Sequence, residues 1–276
     1  MAADRPVSDD VLESQLQAED INVAYDSKEV ITGLSLRIPD KQITVIIGPN
    51  ACGKSTLLRS LARLLKPKHG RILLAGEDIF RKPTRTVAQF LGLMPQMPLA
   101  PDGILVSDLV SRGRTPYQNP FQQFSHADEH AVTEALKATS IEPLANIRME
   151  DLSGGQRQRV WIAMALAQET EILLLDEPIS FLDLTHQIDI LELLKKLNRD
   201  SARTIVMVLH DLNLAARYAD YMVAMCDGEI RIDGTPAEVL TEDHVKAVFR
   251  LNCQVISDPY SGTPMIIPMP AKDSLA

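Results

Sequence analysis

The chain has 276 residues, 45% of them hydrophobic and 24% charged, with a net charge of −9 and a pI near 5.2. Its length allows one large α/β domain or a core with a subdomain. The acidic balance argues against a broad phosphate-backbone interface with nucleic acid and against electrostatic docking on an anionic membrane, but not against a nucleotide, which needs only a local positive field.

No apolar run reaches the length that spans a bilayer, and Met1–Glu19 is polar and acidic, without a basic-then-apolar signal. The chain is therefore expected in the cytosol. Cys52, Cys226 and Cys253 are odd in number, widely spaced and free of any C-x-x-C pair, so neither a disulfide framework nor a zinc site is expected.

Residues 1–15 read as a loose tail. Leu16–Tyr25 and Gly33–Pro39 read as strands. Tyr25 closes the first, either as a packed strand aromatic or as a ring that stacks on a base. The β-branched run Ile43–Ile47 leads into GPNACGKST (48–56), and Leu57, Leu58, Leu61, Leu64 and Leu65 follow at helical spacing, which predicts a helix over 54–66. Pro67 and Gly70 mark a turn before a short strand, Arg71–Ala75. An apolar run from Phe90 places Gln96 at a strand's end. Beyond it, short helices are predicted over 106–112 and 126–140. The region 95–165 lacks convincing strands and reads as an inserted helical subdomain. LSGGQ (152–156) opens a helix that runs to Ala167. Ile172–Asp176 and Thr204–Leu209 are continuous apolar runs, as in parallel strands buried on both faces. A helix over 185–198 lies between them. Tyr221–Cys226 and Glu229–Asp233 form a hairpin about Asp227-Gly228. Residues 236–250 read as one helix, and 253–256 and 265–267 as terminal strands.

Strand, glycine-bounded loop and helix make 48–56 a phosphate-binding loop. Gly48 and Gly53 let the backbone turn its N–H groups inward, and the following helix adds its positive N-terminus. Lys54 would reach the β- and γ-phosphates, and Ser55 would offer a hydroxyl to Mg²⁺. Cys52 in this loop is either a thiol activated by that N-terminus or a small filler. Ser153 is a good N-cap, and with Gly154 and Gly155 it makes a second anion-binding helix start. Asp176, at a strand's C-terminal end, can hold Mg²⁺, and Glu177 is placed to orient or deprotonate an attacking water. His210 ends another core strand, where it could hydrogen-bond a γ-phosphate.

Together these motifs resemble the nucleotide-binding subunit of ATP-binding cassette (ABC) transporters over roughly residues 17–270. The resemblance rests on GPNACGKST, Gln96, LSGGQ, ILLLDEP (172–178), SFLD (180–183) and His210, in the family's order. It implies a P-loop NTPase core with a mainly parallel sheet, an antiparallel β subdomain and an inserted helical subdomain. The core would span 16–95 and 166–270, the helical part 96–165, and 271–276 a second tail. Tyr25 would stack on adenine. Gly48, Pro49, Asn50, Ala51, Cys52, Gly53, Lys54, Ser55 and Thr56 would wrap the phosphates of ATP. Ser55, Gln96 and Asp176 would serve Mg²⁺, with Glu177 as general base and His210 bracing the γ-phosphate. Ser153, Gly154 and Gly155, with Gln156 completing the motif, would contact ATP held by a second, identical subunit. Asp183 would communicate across that head-to-tail dimer, although Phe181 stands where many members have a small residue.

The implied partners are a membrane permease, contacted through 96–125 at the cytoplasmic face, and indirectly an extracytoplasmic substrate-binding protein; no nucleic acid is expected. KSTLLRSLARLLKP (54–67), RGRTPYQ (112–118), QRQRVWIAMALAQ (156–168) and DPYSGTPMIIP (258–268) look like importers of ferric siderophores, haem and vitamin B12, the siderophore branch most. The rival readings are a soluble ABC ATPase without a transporter, a non-catalytic nucleotide-gated interaction module, against which Glu177 and His210 speak, and a DNA-repair ATPase, which would want a coiled-coil insertion or a basic surface.

Overall fold

The computed structural model describes residues 14–26, 28–118 and 124–270. The expected tails, apart from Ser14 and Gln15, and part of the 96–125 segment lie outside these residues. Gln15 itself is tied in: its N–H donates to Asp40 Oδ1 at 2.9 Å, and its carbonyl accepts from Ala75.

The elements run β1 (Leu16–Tyr25), β2 (Lys28–Ile38), β3 (Ile43–Ile47), α1 (Lys54–Leu61), β4 (His69–Leu74), β5 (Glu77–Asp78), α2 (Thr84–Phe90) and β6 (Leu91–Met94). Next come α3 (Val106–Ser111), a 3₁₀ segment (Arg112–Tyr117), α4 (His126–Ala138) and α5 (Gly154–Ala167), with short 3₁₀ turns before α5. Then follow β7 (Ile172–Asp176), α6 (Leu184–Ser201), β8 (Thr204–Val208), α7 (Leu212–Tyr218), β9 (Tyr221–Cys226) and β10 (Glu229–Gly234). The chain closes with α8 (Pro236–Val239), α9 (Glu242–Phe249), β11 (Cys253–Ser257) and β12 (Pro264–Pro268).

A six-stranded sheet, in the order β10-β9-β3-β8-β7-β6, forms the centre. Every pairing from β9 to β6 is parallel; only β10 is antiparallel. A separate antiparallel sheet has the order β2-β1-β4-β5. The central strands feed two apolar cores by alternation. Ile43, Val45, Ile47, Leu173, Leu175, Ile205 and Met207 pack with helices α3 to α7. Ile46, Leu174, Val206 and Val208 face α1 and the antiparallel sheet. Both faces are therefore covered, which is why β3, β7 and β8 read as unbroken apolar runs.

Strand β2 begins at Lys28, ahead of the predicted Gly33, and several helices depart from the sequence reading. The helix predicted over 54–66 stops at Leu61, because Arg63 turns left-handed (φ 63°) and the N–H groups of Leu64 and Leu65 fold back to the Arg59 carbonyl. The helix predicted over 236–250 breaks at Leu240-Thr241, where the Thr241 hydroxyl caps a new helix by accepting from His244 N–H at 3.2 Å. Helices α2 and α7 are seven residues each, too short to show a periodic pattern. Helix α7 is nonetheless capped by Asp211, whose carboxylate accepts from Leu214 N–H at 2.8 Å.

The stretch Arg112–Gln118 knits α2, α4 and the end of α5 together. The Arg114 guanidinium is 3% exposed. It donates to Asp128 Oδ1 at 2.8 Å, to Glu169 Oε2 at 2.7 Å and to the Ala167 carbonyl, and it lies 4.0 Å from the centre of the Tyr117 ring. Burial raises the Asp128 carboxyl, but bonds from Arg114 and Ser125 outweigh it and hold the group below its ordinary value. Its contribution to stability is thus present above the unfolded carboxylate pKa and is lost as pH falls through the lower folded one. Arg114→Ala strands a buried carboxylate and should cost about 3–5 kcal/mol in urea unfolding. Arg71→Ala, at the exposed Arg71–Glu19 pair 2.6 Å apart, should cost less than about 1 kcal/mol.

Candidate functional site

The parallel run β3-β8-β7-β6 brings four chain segments to one edge, because each strand ends on the same side. The loop after β3, His210 after β8, Asp176-Glu177 at the end of β7 and Gln96 after β6 arrive there in that order. A cleft of about 790 Å³ opens above them. Tyr25, Asn50, Ala51, Gly53, Lys54, Ser55, Thr56, Gln96, Glu177 and His210 all line it. Lys28 and Val30 line it too, and sequence reasoning missed them. Lys28 pairs with Tyr25 across β1 and β2, so a strand aromatic suited to stacking was the available signal.

The loop after β3 owes its path to close backbone contacts. Gly48 sits at φ 152° and Gly53 at φ 107°. A Cβ on Gly48 would lie 2.2 Å from the Met225 carbonyl oxygen and 2.8 Å from Cys52 Sγ. Gly48, Pro49 and Cys52 therefore support the loop from behind and do not line the cleft. Cys52 is 6% exposed, and burial pushes its thiol up despite the nearby Lys54, so it is a packed filler and not an activated thiolate. The Lys54 ammonium is buried beneath the loop and donates to the Gly48 and Pro49 carbonyls at 2.9 and 2.8 Å. Both partners are neutral, so its charge remains available to an anion in the cleft.

Behind the loop, Ser55 Oγ donates to Asp176 Oδ1 at 2.9 Å. Asp176 is 2% exposed. Burial pushes its carboxyl up, and the adjacent Glu177 adds to this, against the Ser55 hydrogen bond and the Arg59 and Lys54 charges. Glu177 moves the opposite way. Burial would raise it, but bonds from His210, Ser180 and Gln96 hold it below its ordinary value. His210 Nε2 lies 2.7 Å from Glu177 Oε1, and Ser180 Oγ donates to Oε2 at 2.7 Å. Two neighbouring carboxyls are thus set apart by environment, one desolvated and one braced as the anion.

Ser153, Gly154, Gly155, Gln156 and Asp183 do not line this cleft. Ser153 and Gln156 form a reciprocal capping box: Ser153 N–H donates to Gln156 Oε1 at 2.9 Å, and Gln156 N–H to Ser153 Oγ at 3.3 Å. Ser153 and Gly154 are exposed. The two glycines sit on the start of α6. A Cβ on Gly155 would lie 2.5 Å from His186 Cδ2, and one on Gly154 3.6 Å from Leu182 Cδ2. Asp183 caps α6, accepting from His186 N–H at 3.0 Å and pairing with its ring at 2.8 Å.

Residues 31–180, over half of the chain, match the family model described as ABC transporter. The chain belongs to the ABC transporter family. A "probable siderophore transport system ATP-binding protein" of Bacillus subtilis (strain 168), YusV, is 56% identical over 92% of this chain and 93% of its own length. The ferric enterobactin transport ATP-binding protein FepC of Escherichia coli (strain K12) is 48% identical over 93% of this chain and 94% of its own. A bacterial ABC transporter cassette solved as a dimer superposes with a TM-score of 0.70 at 28% identity, covering 80% of this chain and 98% of that one. As a member of the family, this ABC subunit binds and hydrolyses ATP. Among the described residues, no helix is long and apolar enough to cross a membrane.

Gly48→Ala tests the backbone contact that shapes the phosphate loop. The added methyl meets a carbonyl, not a movable side chain, so ATP affinity should fall at least about tenfold, measured by isothermal titration. Near-native affinity would mean the loop can move aside.

Proposed function

We propose that this ABC ATPase powers uptake of an iron–siderophore or related iron chelate through a membrane permease. The observation that carries the catalytic part is the single cleft joining Lys54, Gln96, Glu177 and His210, with the Ser55–Asp176 pair at its base. The names of the relatives at 56% and 48% identity support the cargo class.

In this reading Tyr25 stacks on the base, the N–H groups of the 48–56 loop cradle the phosphates, and Lys54 neutralises the β- and γ-oxygens. Ser55 and Asp176 offer a hydroxyl and a carboxylate oxygen side by side, which suits a hard cation, and Gln96, which lines the same cleft and bonds to Glu177, would join them. Mg²⁺ held there would neutralise charge developing on the phosphates. Glu177, kept ionised by His210 and Ser180, accepts the proton of the attacking water, and His210 braces the γ-phosphate. The exposed Ser153 helix start, absent from its own cleft, is offered to ATP on a second copy in a two-fold, head-to-tail pair. Asp183 lies beside that helix start and would carry the signal across the dimer. The 96–125 region would meet the permease, on the cytoplasmic face, and an extracytoplasmic binding protein would deliver the chelate.

Glu177→Gln should lower ATP turnover by about 10²–10⁴-fold while ATP drives a stable dimer in size-exclusion chromatography. Brisk turnover in that variant would remove Glu177 as base. Ser153→Arg should abolish hydrolysis yet leave ATP binding by the monomer intact; lost binding would reject the role in trans. For the cargo, cells lacking the subunit should fail to accumulate radiolabelled ferric siderophore, and unchanged uptake would redirect the assignment.

A further inference from the structure

The turn after β7 carries backbone that few residues tolerate. Glu177 (φ 53°) and Phe181 (φ 64°) are both left-handed and neither is glycine. Such conformations persist only where the surroundings hold them. Inside the turn, Ser180 N–H donates to the Glu177 carbonyl at 3.2 Å while its hydroxyl holds the carboxylate. From outside, the Gln158 side-chain amide donates to the Pro178 carbonyl and lies 3.8 Å from Met94 Sδ at the end of β6. Gln158 stands on α5, five residues beyond Ser153, so it is on the helix that presents LSGGQ. The same helix is pinned to α6 where the His186 ring lies over Gly155.

We infer that Gln158 is a positioning residue: it ties the Glu177–Pro178 turn to α5, so that one rigid helix both presents Ser153 and aims Glu177. The side chain is well suited to this. It reaches Pro178 next to Glu177 without touching the cleft, and its amide satisfies a buried carbonyl that the turn leaves over. A chain's own Glu177 is then mechanically linked to the LSGGQ helix start that a partner's ATP would engage. The inference rests on the proposed role of Glu177.

Steady-state ATPase kinetics of Gln158→Ala and of the near-isosteric Gln158→Glu, which loses the N–H donor, provide the test. Both should lower kcat roughly tenfold to hundredfold with KM for ATP at the wild-type value, while Tm falls only by the few degrees that one unsatisfied carbonyl costs. In single-turnover measurements, Gln158→Ala should cause no further loss in a Glu177→Gln background, because it acts through Glu177. A kcat within twofold of wild type in Gln158→Glu would overturn the inference. So would an additive loss in the double variant, or KM rising in step with the fall in kcat. Wild-type hydrolysis by Glu177→Gln alone would be a separate outcome, removing the role of Glu177 and the inference with it.

Discussion

Parallel pairing of β3, β8, β7 and β6 is the constraint on which the rest depends. Parallel neighbours end on the same side, so four loops far apart in sequence are delivered to one edge. The pairing survives because both faces are sealed, by helices α3 to α7 on one side and by α1 with the antiparallel sheet on the other. An open face would expose the alternating Ile, Val and Leu side chains of all four strands. The chemistry is thus a by-product of where an apolar sheet must terminate. Asp176 shows the coupling: it is the last residue of β7, buried enough to be pushed up, yet in reach of Ser55 on α1.

Two kinds of contact then turn an edge into a site. Close backbone approach is one. Gly48 runs against the Met225 carbonyl, and the hairpin after β9 closes on the loop where Gly228 N–H donates to the Cys52 carbonyl at 3.1 Å. Polar side chains held in place are the other. Lys54 donates to the Gly48 and Pro49 carbonyls, and Glu177 is braced by His210 and Ser180. The helical part is fastened by the buried Arg114, whose pairing with Asp128 and with the half-exposed Glu169 joins α4 to the end of α5. The terminal hairpin is fastened by Asn213, which accepts from and donates to the Ile266 backbone, and by Arg217 on Asp258 at 2.5 Å.

Much of this was legible from residues alone. Leu16–Tyr25, Ile43–Ile47, Ile172–Asp176 and Tyr221–Cys226 are strands with the bounds their patterns predict, since apolar runs and turn residues mark both ends. Helix ends were less legible. Arg63 and Thr241 stop helices through local backbone bonds that leave the apolar spacing unchanged, so periodicity ran past them. Helices α2 and α7 offer about two turns each, too few for a period to emerge. Lys28 and Val30 join the cleft only because β2 starts opposite Tyr25, a matter of space and not of motif.

By itself the sequence determined the family, the phosphate loop and the identity of most side chains that line the cleft, because those features depend on local geometry: a glycine that must turn, a lysine one step on, an acid at a strand's end. Only the tertiary structure decided which of them share a space. It set Glu177 between His210 and Ser180, put Cys52 behind the loop as packing, and left Ser153 outside the cleft of its own chain. Those outcomes follow from strand order and from which faces are buried, and both arise from pairings that join distant parts of the chain, such as Leu91 with Ile172 and Thr44 with Tyr221.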